Sequence, residues 1–257
     1  MTIRAGLVSV TFRHASVEDV IAYAIRAGLT GIEWGGDVHV PHGNVSVARR
    51  VAEMTRYAGL AIAAYGSYYY LAHSRRLGLD PKRVVETAAI LGADTIRVWA
   101  GHVGSAQADA AYWSAVVADA RDMAALAADR GMTISFEYHS GTLTDSRSAT
   151  RRLLDLLPGE TIRTLWQPQP ARSLATNLED LLDVLPRLSN IHVCASTRSG
   201  ERLPLSHRRG SWKAYLGAAD GTSRDRHALL EFVIGNDPEQ LVSDALTLNH
   251  LISSCNL

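Results

Sequence analysis

Short apolar runs alternate along the chain with helix-period segments, and this alternation repeats eight times. We predict strands at residues 5–12, 31–35, 61–67, 95–100, 133–138, 162–167, 190–195 and 228–233. Apolar runs of this length between turn signals are typical of strands that a parallel sheet buries on both faces. Their alternation with helical segments predicts parallel strands that are joined by helical crossovers.

The segments between these runs carry helix signals. Ser16 followed by Asp19 is a capping pair before an apolar helical stripe. Asp80-Pro81 and Asp237-Pro238 each place a capping carboxylate before a proline at the first helical position. These signals indicate that helices connect the strands.

The number of strand–helix units predicts the architecture. A chain of 257 residues suits one large domain, and closed α/β barrels of about 250 residues are common as single units. We predict an α/β fold, a (β/α)8 TIM barrel, with a single domain that spans residues 1–257. No Gly-x-Gly-x-x-Gly follows the first strand and no Walker-type loop occurs, which disfavours the open nucleotide-binding sheets.

One connection is irregular. Residues 197–210 form a long polar loop after the predicted seventh strand, and only a short helix is predicted to follow it, around Ser211–Leu216. Loops that follow the strands build the active face of a barrel. The long loop is therefore a candidate lid or substrate contact.

Composition and charge narrow the class of protein. Lys plus Arg and Asp plus Glu number 26 each, so the net charge does not favour nucleic acid or anionic lipid as a partner. No run approaches the ~20 apolar residues of a membrane span. Cys194 and Cys255 lie far apart, which favours a reducing compartment without a disulfide. The first residues lack the pattern of a signal peptide, so we predict a cytoplasmic protein with no membrane partner.

Four polar residues stand at matching depth near the ends of the last four predicted strands: Glu137, Gln167, His192 and Glu231. Side chains of a barrel strand alternate between the barrel axis and the helices, and each of these residues can point inward. Buried charge is costly unless it is paired or bound to a cation. We therefore predict one divalent-metal site, whose oxygen-rich ligands suit Mn²⁺, Mg²⁺ or Co²⁺ and permit Zn²⁺.

Each of these residues alone has a simpler interpretation. A single Glu near a strand end is usually a surface or loop contact, and a single strand His is usually a hydrogen-bonded core residue. Their recurrence on consecutive strands favours the metal site. Gln167 is the weakest member, because a neutral amide oxygen binds cations less firmly than a carboxylate.

Three segments carry a family resemblance: residues 31–43 (GIEWGGDVHVPHG), 136–145 (FEYHSGTLTD) and 229–233 (LLEFV). They resemble the sugar phosphate isomerase/epimerase group with xylose-isomerase-like barrels, and the resemblance extends across essentially the whole chain. Ketose 3-epimerases of this group hold a metal with Glu, Asp, His and Glu from strands five to eight, and the two Glu move protons.

The resemblance implies roles for individual residues. The metal-binding roles are assigned to Glu137, His192 and Glu231, and the proton transfers to the two Glu. Gln167 stands where the group has Asp. Arg198 matches an Arg that the epimerases carry six residues beyond the ligand His.

Further residues are predicted to contact substrate: Glu33, His39, His42, Trp99, His139, Arg198 and Arg202. The resemblance suggests the first three, and the alternative for them is a capped turn with solvated histidines. Trp99 and the Tyr68–Tyr70 run offer a stacking face for a sugar, or they pack between barrel and helices. The arginines make the long loop basic, which suits a phosphate or carboxylate, or they are simply solvated.

We predict a metal-dependent isomerase or epimerase that acts on a small ketose, sugar phosphate or related hydroxyketone. A divalent ion would stabilise an enediolate, while Glu137 and Glu231 remove and return a proton on opposite faces. A dehydratase on a related polyol ketone is the nearest alternative, because the same enediolate can expel a β-hydroxyl.

Two other classes of protein could share this barrel. A DNA-repair endonuclease would share the barrel, but it needs more metal ligands and a basic DNA-binding face, which the balanced charge disfavours. A non-catalytic carbohydrate-binding barrel with a degenerate metal site is kept open by Gln167. The resemblance also implies a possible homo-oligomer.

Overall fold

The structure, a computed structural model, describes residues 2–220 and 224–255. Within these residues, eight parallel strands pair in chain order, and the last pairs with the first, so that the sheet closes into a barrel. The strands are β1 (Ile3–Val8), β2 (Gly31–Gly35), β3 (Ala61–Tyr70), β4 (Thr95–Trp99), β5 (Thr133–Glu137), β6 (Ile162–Trp166), β7 (Leu188–Val193) and β8 (Arg226–Leu230). The predicted (β/α)8 fold is confirmed.

A helix follows each strand. The helices are α1 (Val17–Arg26), α2 (Val45–Tyr57), α3 (Pro81–Leu91), α4 (Ala110–Ala128), α5 (Arg147–Leu156), α6 (Leu174–Val184), α7 (Arg209–Asp220) and α8 (Pro238–Cys255). The Ser16 side chain accepts a hydrogen bond from Asp19 N at 3.1 Å, which completes the predicted capping box of α1. Asp80 likewise accepts from Lys82 N at 2.9 Å, so the predicted start of α3 is confirmed.

The bounds of β1 and β8 differ from the prediction. The chain leaves β1 after Val8, and Ser9–Phe12 form a 3₁₀ turn in which the Ser9 hydroxyl accepts a hydrogen bond from Gly35 N. Strand β8, which pairs with β1, ends at Leu230. It ends there because Phe232 has a φ of 56° and its N–H donates to the Thr11 hydroxyl. The apolar runs therefore continue beyond the strands that they begin.

Helix α7 is longer than the predicted short helix. It spans Arg209–Asp220 and follows a 3₁₀ turn at Leu205–Arg208. Trp212 and Tyr215 are buried on its inner face, and the indole N–H of Trp212 donates to Cys194 O at 2.9 Å. The buried ring secures the first turn of the helix, a tertiary contact that the local pattern does not contain.

Apolar side chains fill the layer between the barrel and the helices. Each strand contributes fully buried aliphatic or aromatic residues to this layer, for example Ile32, Ile96, Ile134 and Ile191. Among the described residues the two cysteines are free, and no helix is long and apolar enough to cross a membrane. The interior of the barrel differs from this layer, because charged residues occupy it towards the carboxyl ends of the strands.

Candidate functional site

Five charged or titratable side chains meet inside the barrel near the carboxyl ends of its strands, and we call them the polar centre: Glu33, Arg97, Glu137, His192 and Glu231. They come from β2, β4, β5, β7 and the residue that follows β8. Each is at most 7% exposed. Such burial requires that the charges compensate one another or bind an ion.

Arg97 joins two of the carboxylates. Its Nε lies 2.9 Å from Glu33 Oε1, and its Nη1 lies 2.8 Å from Glu137 Oε2. Burial lowers the pKa of Arg97, but Glu137 and Glu33 raise it above its ordinary value. Gly66 on β3 makes room for this contact, because a Cβ there would lie 2.7 Å from both Arg97 Nη2 and Glu33 Oε1.

Arg97 was not among the site residues predicted from the sequence. The available signal was a charged residue in the middle of an apolar run, Thr95-Ile-Arg-Val-Trp99, where a strand buried on both faces has no place for an unpaired cation. That signal marks Arg97 as unusual but does not identify its partners.

His192 lies between the carboxylates. Its Nε2 is 3.2 Å from Glu33 Oε2, while its Nδ1 is 3.3 Å from Glu231 Oε2 and 3.7 Å from Glu137 Oε1. Burial lowers the pKa of His192, but Glu231 and Glu33 more than offset this and raise it to about 10. Burial likewise raises the pKa of Glu33, and His192 and Arg97 bring it down to about 2.

The donor set fits a divalent cation. One ligand atom from each of Glu137, His192 and Glu231 lies within 4.8 Å of the others. Among the described residues, His192 Nδ1 is buried and has no hydrogen-bond partner, whereas Nε2 faces Glu33. Histidines that bind metals commonly donate their other ring N–H to a carboxylate in this way.

The charges of the polar centre agree with this fit. Glu33, Glu137 and Glu231 carry three negative charges, and Arg97 compensates one of them. A divalent cation that displaces the proton from His192 Nδ1 would leave the ring neutral and would balance the remaining two charges. Oxygen ligands with one imidazole suit Mn²⁺, Mg²⁺, Co²⁺ or Zn²⁺.

Gln167 follows β6 and touches the same site from the side. Its Nε2 donates to Glu137 Oε1 at 3.0 Å and to Tyr138 O at 3.3 Å. In this orientation the amide nitrogen of Gln167 faces the Glu137 carboxylate and helps to hold it in place.

The two carboxylates that face His192 Nδ1 differ in their surroundings. Glu137 accepts hydrogen bonds from Arg97 Nη1, from Gln167 Nε2 and, at 2.5 Å, from the indole N–H of Trp99. For Glu231 the described residues supply one ion-pair partner, His192. Glu137 is therefore firmly held, and Glu231 is the freer carboxylate.

His39 and His42 do not reach the polar centre. His39 is buried, with Nδ1 at 3.0 Å from Ser9 Oγ and Nε2 at 3.3 Å from Ala15 O. His42 Nδ1 lies 2.8 Å from Tyr65 Oη. Burial lowers the pKa of both rings. Both histidines hold the segment after β2 against the barrel.

Aromatic rings lie beside the polar centre, at and after the carboxyl ends of β3, β4 and β5. Trp99, which donates to Glu137, packs against Tyr70 with ring centroids 4.2 Å apart and an interplanar angle of 46°, and the His139 ring lies 5.7 Å from Trp99. These rings line a cavity of about 420 Å³, together with His73 and His102. The cavity lining therefore places an aromatic face and three imidazoles beside the polar centre.

The two loop arginines have different surroundings. Arg202 donates to Asn236 Oδ1 at 2.8 Å, and its guanidinium lies 4.5 Å from the centroid of the Phe232 ring, next to Glu231 in the chain. Arg202 thus ties the loop after β7 to the loop after β8. Arg198 is exposed and lines a separate cavity of about 190 Å³.

Several solved structures are similar to this chain in fold. The probable 3-DHS dehydratase AsbF from Bacillus anthracis has a TM-score of 0.79 at 18% identity, with 96% of this chain and 99% of that chain covered. L-ribulose 3-epimerase has a TM-score of 0.72 at 15% identity, with 99% and 97% covered. A xylose isomerase-like TIM barrel protein from Mycobacterium smegmatis, in complex with magnesium, has a TM-score of 0.71 at 14% identity, with 100% and 98% covered.

Identities this low show a common fold and nothing finer. No curated protein matches the sequence. A family model, however, described as xylose isomerase-like TIM barrel, matches residues 21–231, which is most of the chain. The chain therefore belongs to the xylose isomerase-like TIM barrel family.

Proposed function

We propose that the protein is a divalent-metal-dependent isomerase or epimerase that moves a proton at a carbon next to the carbonyl of a small ketose, sugar phosphate or related hydroxyketone. One observation carries the proposal: His192 Nδ1 lies between the Glu137 and Glu231 carboxylates, buried and without a hydrogen-bond partner among the described residues. The proposal has support from a structural neighbour that is an L-ribulose 3-epimerase and from another that contains magnesium.

Glu137, His192 and Glu231 would hold the metal, with Gln167 beside them. A divalent ion there supplies a Lewis acid that polarises a carbonyl oxygen and stabilises the negative charge of proton abstraction. Glu33 accepts from the opposite ring nitrogen and orients the imidazole. Arg97 fixes the Glu137 carboxylate and compensates its charge.

The two carboxylates would divide the proton transfers. Glu231 is the freer of the two and is positioned to remove the proton, since a base needs a lone pair that no other donor occupies. Glu137 lies across His192 from it. To return a proton to the opposite face in an epimerisation, Glu137 would have to be protonated at the start of the cycle, while Glu231 starts as the carboxylate. In an isomerisation Glu231 alone can do both.

The side of the site next to the aromatic rings would bind the substrate. Trp99 and Tyr70 present an aromatic face on which the C–H side of a sugar can pack, and His139 adds a polar group at the edge of that face. Arg198 and Arg202 lie on the loop at the opposite side of the mouth. A single-domain enzyme, a cytoplasmic location, a homo-oligomeric assembly and the absence of a nucleic-acid or membrane partner remain predictions.

A dehydratase on a related polyol ketone is the second candidate. The indole N–H of Trp99 donates to the Glu137 carboxylate, and the His139 ring lies beside Trp99. The His139 imidazole is therefore available to protonate a departing hydroxyl. The structural likeness to a probable dehydratase adds support.

The test is turnover of a panel of ketoses, ketose phosphates and hydroxyketo acids in D₂O with Mn²⁺. Deuterium at a carbon of recovered sugar is expected, whereas loss of water would identify the dehydratase. Glu231→Gln should reduce turnover by at least about a thousandfold, while Glu86→Gln, an exposed control on α3, should leave it unchanged. Absence of Mn²⁺ binding and of exchange on every substrate would favour a non-catalytic barrel and overturn the proposal.

A further inference from the structure

A second cavity lies next to the polar centre, between the loops that follow β6 and β7. It has a volume of about 190 Å³. Pockets that enclose a whole drug-sized ligand begin at about 300 Å³. The cavity is therefore smaller than a pocket for a drug-sized ligand, and it has room for a small group such as a phosphate or a carboxylate.

The cavity borders the polar centre along two strands. Pro168, which lines it, follows Gln167, the residue that donates to Glu137. Cys194, which also lines it, stands two residues beyond His192, a separation of about 7 Å along an extended chain. A substituent of a molecule bound at the polar centre would have to span about this distance to reach the cavity.

The lining of the cavity is positively charged. Three arginines belong to it, Arg172, Arg198 and Arg208, and no Asp or Glu does among the described residues. Arg172 is neutralised by Asp180 Oδ2 at 2.5 Å. The other two arginines form no ion pair within the described part of the chain, so their charges are left for a ligand.

Arg208 is held in a fixed orientation. Its Nε and Nη2 both donate to Ser196 O, at 3.0 and 2.7 Å. This leaves Nη1 available, because no described residue uses it. Ser173, the N-cap of α6, also lines the cavity, and the positive end of the helix dipole adds to the potential there.

We propose that this arginine cavity, defined by Arg172, Arg198 and Arg208, binds a negatively charged group, phosphate or carboxylate, of the substrate. This identification of the ligand as part of a substrate rests on the function proposed above. It narrows the substrate class to ketose phosphates or hydroxyketo acids, in which an anionic group is separated by a few bonds from the reacting carbonyl.

The anion site can be tested without turnover. Inorganic phosphate and acetate are titrated by calorimetry into the full-length protein without added metal, since phosphate also binds divalent ions. Saturable binding of phosphate is expected if the site takes a phosphate, and of acetate if it takes a carboxylate. Arg198→Gln and Arg208→Gln should each weaken the preferred anion by about tenfold. Arg209→Gln, the neighbouring exposed arginine outside the lining, should bind it as the wild type does.

Different results would contradict the anion site and the proposed function. Equal binding by the wild type and the Arg198→Gln variant, or no saturable binding of either anion, would overturn the arginine cavity as an anion site. Arg198 is exposed, so this variant serves even where Arg208→Gln lowers stability. Anion binding without turnover of any ketose would contradict the proposed function alone. In the active enzyme, Arg198→Gln should raise KM for the anionic substrate by about tenfold, and should raise KM for its neutral analogue by less.

Discussion

Arg97 Nη1 lies 2.8 Å from Glu137 Oε2 in the interior of the barrel, and both side chains are at most 4% exposed. The same guanidinium reaches Glu33, so one cation joins carboxylates that are 64 and 40 residues away from it in the chain. A buried ion pair contributes little net stability, but removing one partner leaves an uncompensated charge. We therefore expect the stability of the barrel to depend on both partners of the Arg97–Glu137 pair.

Replacement of Arg97 by Met should destabilise the protein strongly. We expect a loss of about 3–5 kcal/mol in the free energy of unfolding, because two buried carboxylates lose their compensating cation. Urea unfolding at pH 7 measures it, with Arg49→Met on the surface of α2 as the control, for which a change within about 0.5 kcal/mol is expected. A loss below about 1 kcal/mol would show that the pair is not needed for charge compensation.

Replacement of Glu33 by Gln tests the orientation of His192. The carboxylate that faces His192 Nε2 at 3.2 Å would be lost, and loss of such a partner typically weakens metal binding by about 10–100-fold. We expect that decrease in Mn²⁺ affinity by calorimetry, with the barrel retained. Glu53→Gln, exposed on α2, is the matched control. Mn²⁺ affinity equal to that of the control would separate Glu33 from the metal site.

Replacement of Gln167 by Asp should have opposite effects with and without metal. Without metal, the variant exchanges a donor to Glu137 for a fourth negative charge, so the free energy of unfolding should fall by about 1–3 kcal/mol. With metal, an added carboxylate ligand should tighten Mn²⁺ binding by about tenfold or more. Thermal unfolding across an Mn²⁺ titration measures both effects. An unchanged Mn²⁺ affinity would place residue 167 outside the ligand set.

The partly buried His227 side chain should make the free energy of unfolding depend on pH. His227 is the second residue of β8, at the amino-terminal end of the barrel. Burial and, to a smaller extent, Arg4 lower its pKa to about 4 against a partial opposing effect of Asp225. The folded protein therefore resists protonation that the unfolded chain accepts, with an ordinary pKa near 6.5. The contribution of neutral His227 to the free energy of unfolding is fully present above about pH 6.5, and it is lost as the pH falls towards 4.

The expected size of this effect is about 1–2 kcal/mol between pH 7 and pH 5, measured by urea unfolding at both values. His227→Gln should reduce that difference, because an amide does not titrate. His250→Gln, on α8, is the control and should keep it. An undiminished loss of stability in His227→Gln would assign the pH dependence to other groups.

Much of the fold was predictable from local patterns. Strand and helix periods, together with caps such as Ser16 and Asp80, depend on neighbours in the sequence, and the structure confirms them. The ends of β1 and β8 and the length of α7 were not predictable, because Thr11, Phe232 and Trp212 form contacts between segments that are remote in the chain. Such contacts override the apolar pattern.

The site divides in the same way. Because side chains alternate along a strand, the inward positions of Glu137 and His192 near strand ends could be predicted from local sequence. The contacts between their atoms could not: Glu33 faces Nε2 of a histidine 159 residues away, and Arg97 bridges two strands. These contacts depend on the stagger of the closed barrel and on the rotamers of long side chains, and a local sequence pattern specifies neither.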